Sequence, residues 1–469
     1  MLEGNTGLLI FGAYAIFILA VVIFTRKSNE NSDDFLLMNR NLGVFQGSLS
    51  MAVSWIWAPA IFICSQQAYN QGLPGIFWFT LPNILTFFVF VPIALKLREK
   101  FPSGHTISEA FRLRFNDSKA HKASLLVTLG YQLGAIVINC IAGATLISIL
   151  SGIPYASGVI MMAGLALSYS LISGLRASVL SDIAQMSMVL VIAFIIVPLA
   201  IVKIGGFSVL VDGIGGFEGK YKNIFDPQIA FAFGIATSIG LIAGPVADQM
   251  FSQRAYAAKE GSVIKIFVYA GLIFGVVPII LSLLGFIGAA GVLNGTFVIN
   301  DSQMVGPEVI SHLLPKWALC LFAVMAFAGL TSTLDSAFTA VGSLVSIDLK
   351  YDSASTSQNK IKLARFGMVL FSLLGISLAL LQPKLLWVFL IYGALAASLF
   401  LPTILILYWD KVTSIGIFSG IISGVIIGTP LAIFANISEN TNLIVLSSIL
   451  GLLVAGIITV LVSSISSKN

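Results

Sequence analysis

SMAVSWIWAPAIFICSQQAYNQG, residues 50–72, is apolar and long enough to cross a bilayer, yet Pro59 stands near its middle with polar Ser54, Ser65, Gln66 and Gln67 on either side. Proline lacks a backbone N–H and its ring clashes with the preceding turn, so a helix through this stretch breaks at membrane depth. Lipid offers no hydrogen bonds, so a broken segment must face protein, a cavity or a bound ion. FAFGIATSIGLIAGPVADQM, residues 231–250, has the same character, with Gly234, Gly240 and the Gly244–Pro245 pair. For either stretch alone the ordinary reading is a kink or a close-packing point, both common in membrane helices. The alternative is a set of freed carbonyls that a cation satisfies.

The rest of the 469-residue chain has the same solvent in common: 58% of it is hydrophobic and 10% charged. Apolar runs of about 18 residues or more follow one another, with connections mostly too short to fold alone. Thirteen spans are expected, at 8–25, 43–72, 75–97, 122–151, 155–172, 178–204, 228–252, 263–293, 317–347, 363–381, 385–408, 412–434 and 443–464. The first is not read as a cleaved signal, because Glu3 precedes it and Arg26–Lys27 follow it. Cytoplasmic loops retain Lys and Arg. Loops after odd-numbered spans carry 20 of the 25 basic residues; the other side has Lys203, Lys220, Lys222, Lys316 and Lys384. This alternation predicts a multi-pass protein of the cell membrane, with the N-terminus outside and the C-terminus in the cytoplasm. The net charge of +5 is then loop charge and implies no nucleic-acid partner. Cys64, Cys140 and Cys320 fall inside spans without metal or redox spacing and read as packing residues.

The two breaks occupy spans 2 and 7, which face opposite ways. That is the arrangement of two inverted five-helix repeats, 43–204 and 228–408, flanked by the span at 8–25 and two more over 412–464. Ionisable residues within spans are functional candidates because burying a carboxylate is costly. Asp335 lies inside span 9 and Asp182 just inside span 6; Asp248, at the end of span 7, is expected to pair with Arg254. In span 9, FAGLTSTLDSAFTAVGSLVSIDL, Gly329, Ser332, Thr333 and Ser336 share one helical face. Two adjacent hydroxyls beside freed carbonyls form the hard, neutral oxygen shell that sodium takes. The same small, polar face also suits plain helix packing.

Three further stretches carry a family resemblance. AGLTSTLDSAFTAVGSLVSIDL (328–349), GLRASVLSDIAQMSMVLV (174–191) and DQMFSQRAYAAKE (248–260) together resemble the sodium:solute symporters over nearly the whole chain. The resemblance implies a leucine-transporter-like fold and a sodium ion as coupling ion. Carried over by position, its ligands are the carbonyls of Val53, Ile56 and Gly329 with the hydroxyls of Ser332 and Thr333; Asp182 and Asp335 lie on the ion pathway. SWIWAPAIFICSQQAYNQGLPGIFWF (54–79) and FPSGHTISEAFRLRF (101–115) look similar to the urea/polyamine branch, which implies a small neutral solute bound by Trp55, Trp57, Gln66 and Gln67. The tryptophans alone also read as packing residues, and proline, another small metabolite, or proton coupling remain alternatives.

An intramembrane enzyme needs a nucleophile or metal constellation. The sequence has neither HExxH nor GxSxG, and its three histidines, His105, His121 and His312, are expected outside the spans. A channel or sensor on the same fold is the competing class. The partners expected are the lipid bilayer and a small solute, with no obligate protein partner.

Overall fold

The computed structural model describes residues 6–25, 31–349 and 356–466; Glu3, Arg26, Lys27, Lys350 and Lys468 lie outside them. Its regular elements are helical, α1 Thr6–Thr25, α2 Ser32–Leu37, α3 Val44–Ser54, α4 Cys64–Lys100, α5 Ile107–Phe115, α6 Ser118–Ser151 and α7 Tyr155–Ile204. They continue as α8 Phe207–Asp212, α9 Pro227–Ile229, α10 Ile235–Ala247, α11 Gln249–Ala257, α12 Val263–Leu293, α13 Val305–Leu313 and α14 Lys316–Leu344. The last four are α15 Ser357–Ala379, α16 Leu385–Tyr408, α17 Ser414–Ile437 and α18 Thr441–Ser466.

Twelve helical stretches among the described residues are long and apolar enough to cross a membrane. The count differs from thirteen because of the interrupted second span. Its first half, α3, has only 11 residues. Its second half begins with a π-turn at Pro59–Ile63 and runs into the third span through Gly72. Gly72 has φ 58 and ψ −145, a region essentially closed to other residues. A Cβ there would lie 2.4 Å from the Tyr221 carbonyl oxygen. The loop after α8 is stitched to this turn, Phe217 donating its N–H to Tyr69 at 2.7 Å and Leu73 to Tyr221 at 3.2 Å. Gly174 divides α7 in the same way, at φ 55. His121, expected in a loop, instead sits in the first turn of α6, buried and 2.8 Å from Asp348.

α14 is the axis of the molecule. It packs on α1, α3, α6, α7, α11 and α15, and every residue from Met325 to Leu344 is buried. A helix apolar or small on all sides is what a position inside a bundle requires. α17 and α18 pack on each other and on α16, at the periphery.

Replacing Gly72 by Ala is expected to lower the unfolding midpoint in detergent well below that of Gly152→Ala, where φ is also positive, 71, but the added methyl meets nothing within 4 Å. Equal shifts for the two variants would mean that the stitched turn does not constrain the break.

Candidate functional site

After Ser54 the chain leaves the helix for four residues. Tight turns close on Ala52 and Val53, which accept from Trp55 and Ile56 at 3.3 and 2.9 Å. The freed groups find partners on other helices. Asn139 of α6, itself fully buried, accepts from the Ala58 N–H at 2.9 Å. The Trp57 indole donates to Ser54 O at 3.1 Å. The Thr333 hydroxyl lies 3.2 Å from Ile56 O and 3.3 Å from both Ser54 O and Gly329 O. The hydroxyl hydrogen satisfies one of these three carbonyls, and the Trp57 indole serves Ser54 O. The cluster therefore holds more lone pairs than hydrogens, and its donors are hard, neutral oxygens, the set that fits an alkali cation. Gly329 permits the approach of α14, since a Cβ there would meet Ile61 at 2.8 Å and Ile56 at 3.2 Å.

Of the five residues expected around sodium, Ile56, Gly329 and Thr333 meet directly. The Val53 carbonyl accepts from Ile56 at 2.9 Å in the turn just before the break. Ser332 donates its hydroxyl hydrogen to Asp182 Oδ1 at 2.5 Å. Asp182 also accepts from Ser50 at 2.5 Å and from Arg254 at 3.1 Å. Asp335 accepts from Ser178 at 2.5 Å and from Ser181 at 3.3 Å. The expected Asp248–Arg254 pair does not form. Asp248 instead caps α11 through the Met250 N–H and accepts from Gln132, both at 2.8 Å, while Arg254 reaches across to α7. The sequence spacing of six residues favoured the nearer partner; the tertiary packing of α11 supplies the farther one.

Trp55 and Trp57 stand 5.3 Å apart between ring centroids and line a chamber with Phe79, Asn83, Tyr131 and Phe389. A second hollow adjoins it, lined by Thr237, Gly240 and Tyr392. The two offer about 20 and 10 Å³ to water, room for roughly one molecule each. The chamber is thus closed in this conformation. Both indole N–H groups are engaged, Trp55 donating to Asn83 at 2.9 Å, so the tryptophans present ring faces. The Thr237 hydroxyl is buried without a hydrogen-bond partner. Gln66 and Gln67 do not join the chamber. Seven or eight residues of helix beyond Pro59 carry them about 10–12 Å along the axis. Gln66 lines an outer hollow with Ser302, Lys384 and Trp387, and Gln67 is buried with an unpartnered amide oxygen.

Asn83, Asn139 and Tyr131 were not singled out from the sequence. The signal available was the asparagines themselves, polar amides inside apolar runs, whose cost requires a defined partner.

Twelve long apolar helices among the described residues and the short α3, which ends at a break beside an acceptor-rich face and an aromatic chamber, make up a leucine-transporter-like fold. A Na+-coupled sialic acid symporter has the same fold, with a TM-score of 0.80 over 98% of each chain at 14% identity. The profile of the sodium:solute symporter family matches residues 35–424, and the chain belongs to that family. Among its relatives are the urea-proton symporter DUR3 of Oryza sativa subsp. japonica, 24% identical over 89% of this chain and 63% of that protein. The sodium/pantothenate symporter of Escherichia coli strain K12 is likewise 24% identical, over 90% of this chain and 89% of that protein. The chain therefore spans less than two thirds of the rice protein's length.

Asn139→Ala leaves the Ala58 N–H buried without an acceptor, an expected loss of about 1–3 kcal/mol. Thermal unfolding in detergent reads this directly; an unchanged midpoint would mean that the break satisfies itself.

Proposed function

We propose that this chain is a sodium-coupled symporter of a small neutral solute, with urea the leading candidate. The observation that carries the coupling ion is the gathering of carbonyl oxygens around Thr333, where Ser54, Ile56 and Gly329 converge on one hydroxyl and Ser54 alone has a further side-chain donor, the Trp57 indole. Val53, Ile56, Gly329, Ser332 and Thr333 would hold sodium, and Asp182 and Asp335 border its route. A sodium ion there bridges α14 to the broken segment, so its binding favours the arrangement that brings the two together. Closure of the aromatic chamber over a bound solute then permits the switch of access between the two sides, with the break after Ser54 as the flexing point. The second break expected over 231–250 does not open, since Pro227–Ala247 is continuous helix with a π-turn at Ala230–Gly234 and with Gly240 and Gly244–Pro245 inside α10. The basic loops support a cytoplasmic C-terminus, and an inward sodium gradient would draw the solute in with the ion. One charge crossing the membrane contributes about 2.3 kcal/mol per 100 mV, roughly a fifty-fold gradient, which is ample for accumulation.

Ring faces of Trp55, Trp57 and Tyr131, with few free polar groups, suit a planar uncharged solute. The name of the rice relative supports urea and offers the proton as the competing ion; that of the Escherichia coli relative supports sodium. The deciding measurement is uptake of labelled urea into liposomes carrying the purified protein, with proline, a polyamine and pantothenate in parallel, under sodium or proton gradients. Concentrative uptake of urea under the sodium gradient is expected. Accumulation of another solute with sodium would retain the coupling and reject urea; equilibration without accumulation under either gradient would make the protein a channel.

Ser332→Ala with Thr333→Ala is expected to abolish sodium stimulation while the protein still inserts and purifies as a monodisperse species. Unaltered half-saturating sodium in that double variant would remove these hydroxyls from the site.

A further inference from the structure

A threonine inside a helix ordinarily turns its hydroxyl back to the carbonyl four residues earlier. Thr86, Thr331, Thr403 and Thr459 do so in this molecule, at 2.9, 2.7, 2.8 and 2.7 Å. Thr237 of α10 does not. It is buried, and its hydroxyl has no hydrogen-bond partner among the described residues. The carbonyl it would take is that of Phe233, which lies within the π-turn at Ala230–Gly234, where the ladder of the helix is shifted by one residue. The Thr80, Ser238 and Thr429 hydroxyls are also unpartnered, but none of these residues lines the aromatic chamber or the hollow beside it. Thr237 lines that hollow.

Its position is fixed by a close contact one turn further along α10. A Cβ on Gly240 would stand 2.9 Å from the Gly393 Cα, so the backbones of α10 and α16 meet there and hold Thr237 in the wall. The chamber and the hollow share Trp57, Tyr131, Leu241 and Phe389 as lining, so a solute seated on the ring faces has Thr237 at its edge. The neighbouring polar groups are committed elsewhere. Asn83 accepts from the Trp55 indole at 2.9 Å and donates to Phe79 O at 2.8 Å. The Tyr131 hydroxyl is turned to Gly244, where a Cβ would stand 2.8 Å from it.

A buried hydroxyl with nothing to bond weakens the empty protein, and that cost is removed when a ligand supplies the acceptor. We infer that Thr237 determines specificity in the chamber: its hydroxyl donates to the carbonyl oxygen of the solute, and so selects compact planar carbonyl compounds of the urea and amide class over isosteres with a poorer acceptor. The inference rests on the reading of the chamber as the solute site and names the group that recognises the solute there. A threonine that only fills space, or that holds a buried water, makes different predictions. Replacing the first by the isosteric valine leaves solute selection untouched; replacing the second lowers stability.

The experiment is uptake of labelled urea into liposomes carrying the full chain, with unlabelled thiourea as competitor, together with thermal unfolding in detergent without solute. Thiourea keeps the planar frame and offers sulfur, a weaker acceptor than oxygen. The wild type is expected to prefer urea. Thr237→Val is expected to raise the KM for urea about tenfold at a maintained maximal rate, to change inhibition by thiourea far less, and to unfold at or above the wild-type midpoint. Thr237→Ser keeps the hydroxyl and is expected to keep the preference. Thr237→Ala is expected to repeat the loss of preference and serves if the valine variant does not fold. An unchanged KM in a folded valine variant, equal losses for urea and thiourea, or a lowered midpoint with the preference intact would overturn the inference. A wild type that takes up no urea would instead overturn the reading of the chamber as a urea site, and the role of Thr237 with it.

Discussion

A backbone that leaves the helix inside a bilayer must be satisfied by its neighbours, and most of this molecule is arranged around that requirement at residues 55–58. Pro59 removes one donor and the turn before it frees several acceptors. Asn139 answers the Ala58 N–H, the Trp57 indole answers Ser54 O, and Thr333 answers Ile56 O. Each partner belongs to a different element or lies across the break, so the break holds α3, α6 and α14 in register. The satisfaction is deliberately incomplete on the acceptor side. The Thr333 hydroxyl and the Trp57 indole bring two hydrogens to three carbonyls, and in the proposed sodium reading an ion on the remaining lone pairs would gain leverage over the packing of α14 against the break.

Close approach is the second constraint. Gly329 brings α14 within contact of Ile56 and Ile61, where any side chain would separate the hydroxyl face from the carbonyls. On the other side of the break, Phe251 meets Trp55 edge-on at 4.9 Å and stacks with Phe267 at 5.8 Å. These rings pack against Trp55, and the chamber wall and the carbonyl cluster are built on the same short break. Coupling between ion and solute needs such a shared element.

Much of this was legible in the sequence because lipid imposes simple rules. Apolar run length and loop charge gave the passes, Pro59 located the break, and the i, i+3, i+4 spacing of Gly329, Ser332 and Thr333 put the hydroxyls on one face. The thirteen passes differ from twelve long helices only where the break itself shortens α3 and Gly72 joins the next segment. Partners distant in sequence were not legible. Arg254 was assigned to Asp248, six residues away, because chain proximity is visible and the reach of its side chain from α11 to Asp182 of α7 is not. Gln66 and Gln67 were assigned to the solute on polarity alone, and the rise of the helix beyond the π-turn carries them elsewhere. Asn139 stood in plain view as a polar residue in an apolar run, but its partner is a backbone group that only the fold identifies.

The division between neutral and charged groups also bears on release. A carboxylate that ligated sodium directly in so dry a setting would hold it too tightly for turnover, since attraction between unit charges grows steeply as water is excluded. Here the first oxygens around Thr333 are neutral, and Asp182 acts at one remove through the Ser332 hydroxyl. That hydrogen bond commits the serine's hydrogen to the carboxylate and leaves its lone pairs for an ion. The same carboxylate carries the Arg254 guanidinium. In the proposed sodium reading, a neutral cage beside a paired carboxylate would bind the ion strongly enough to stabilise one conformation and weakly enough to end the cycle.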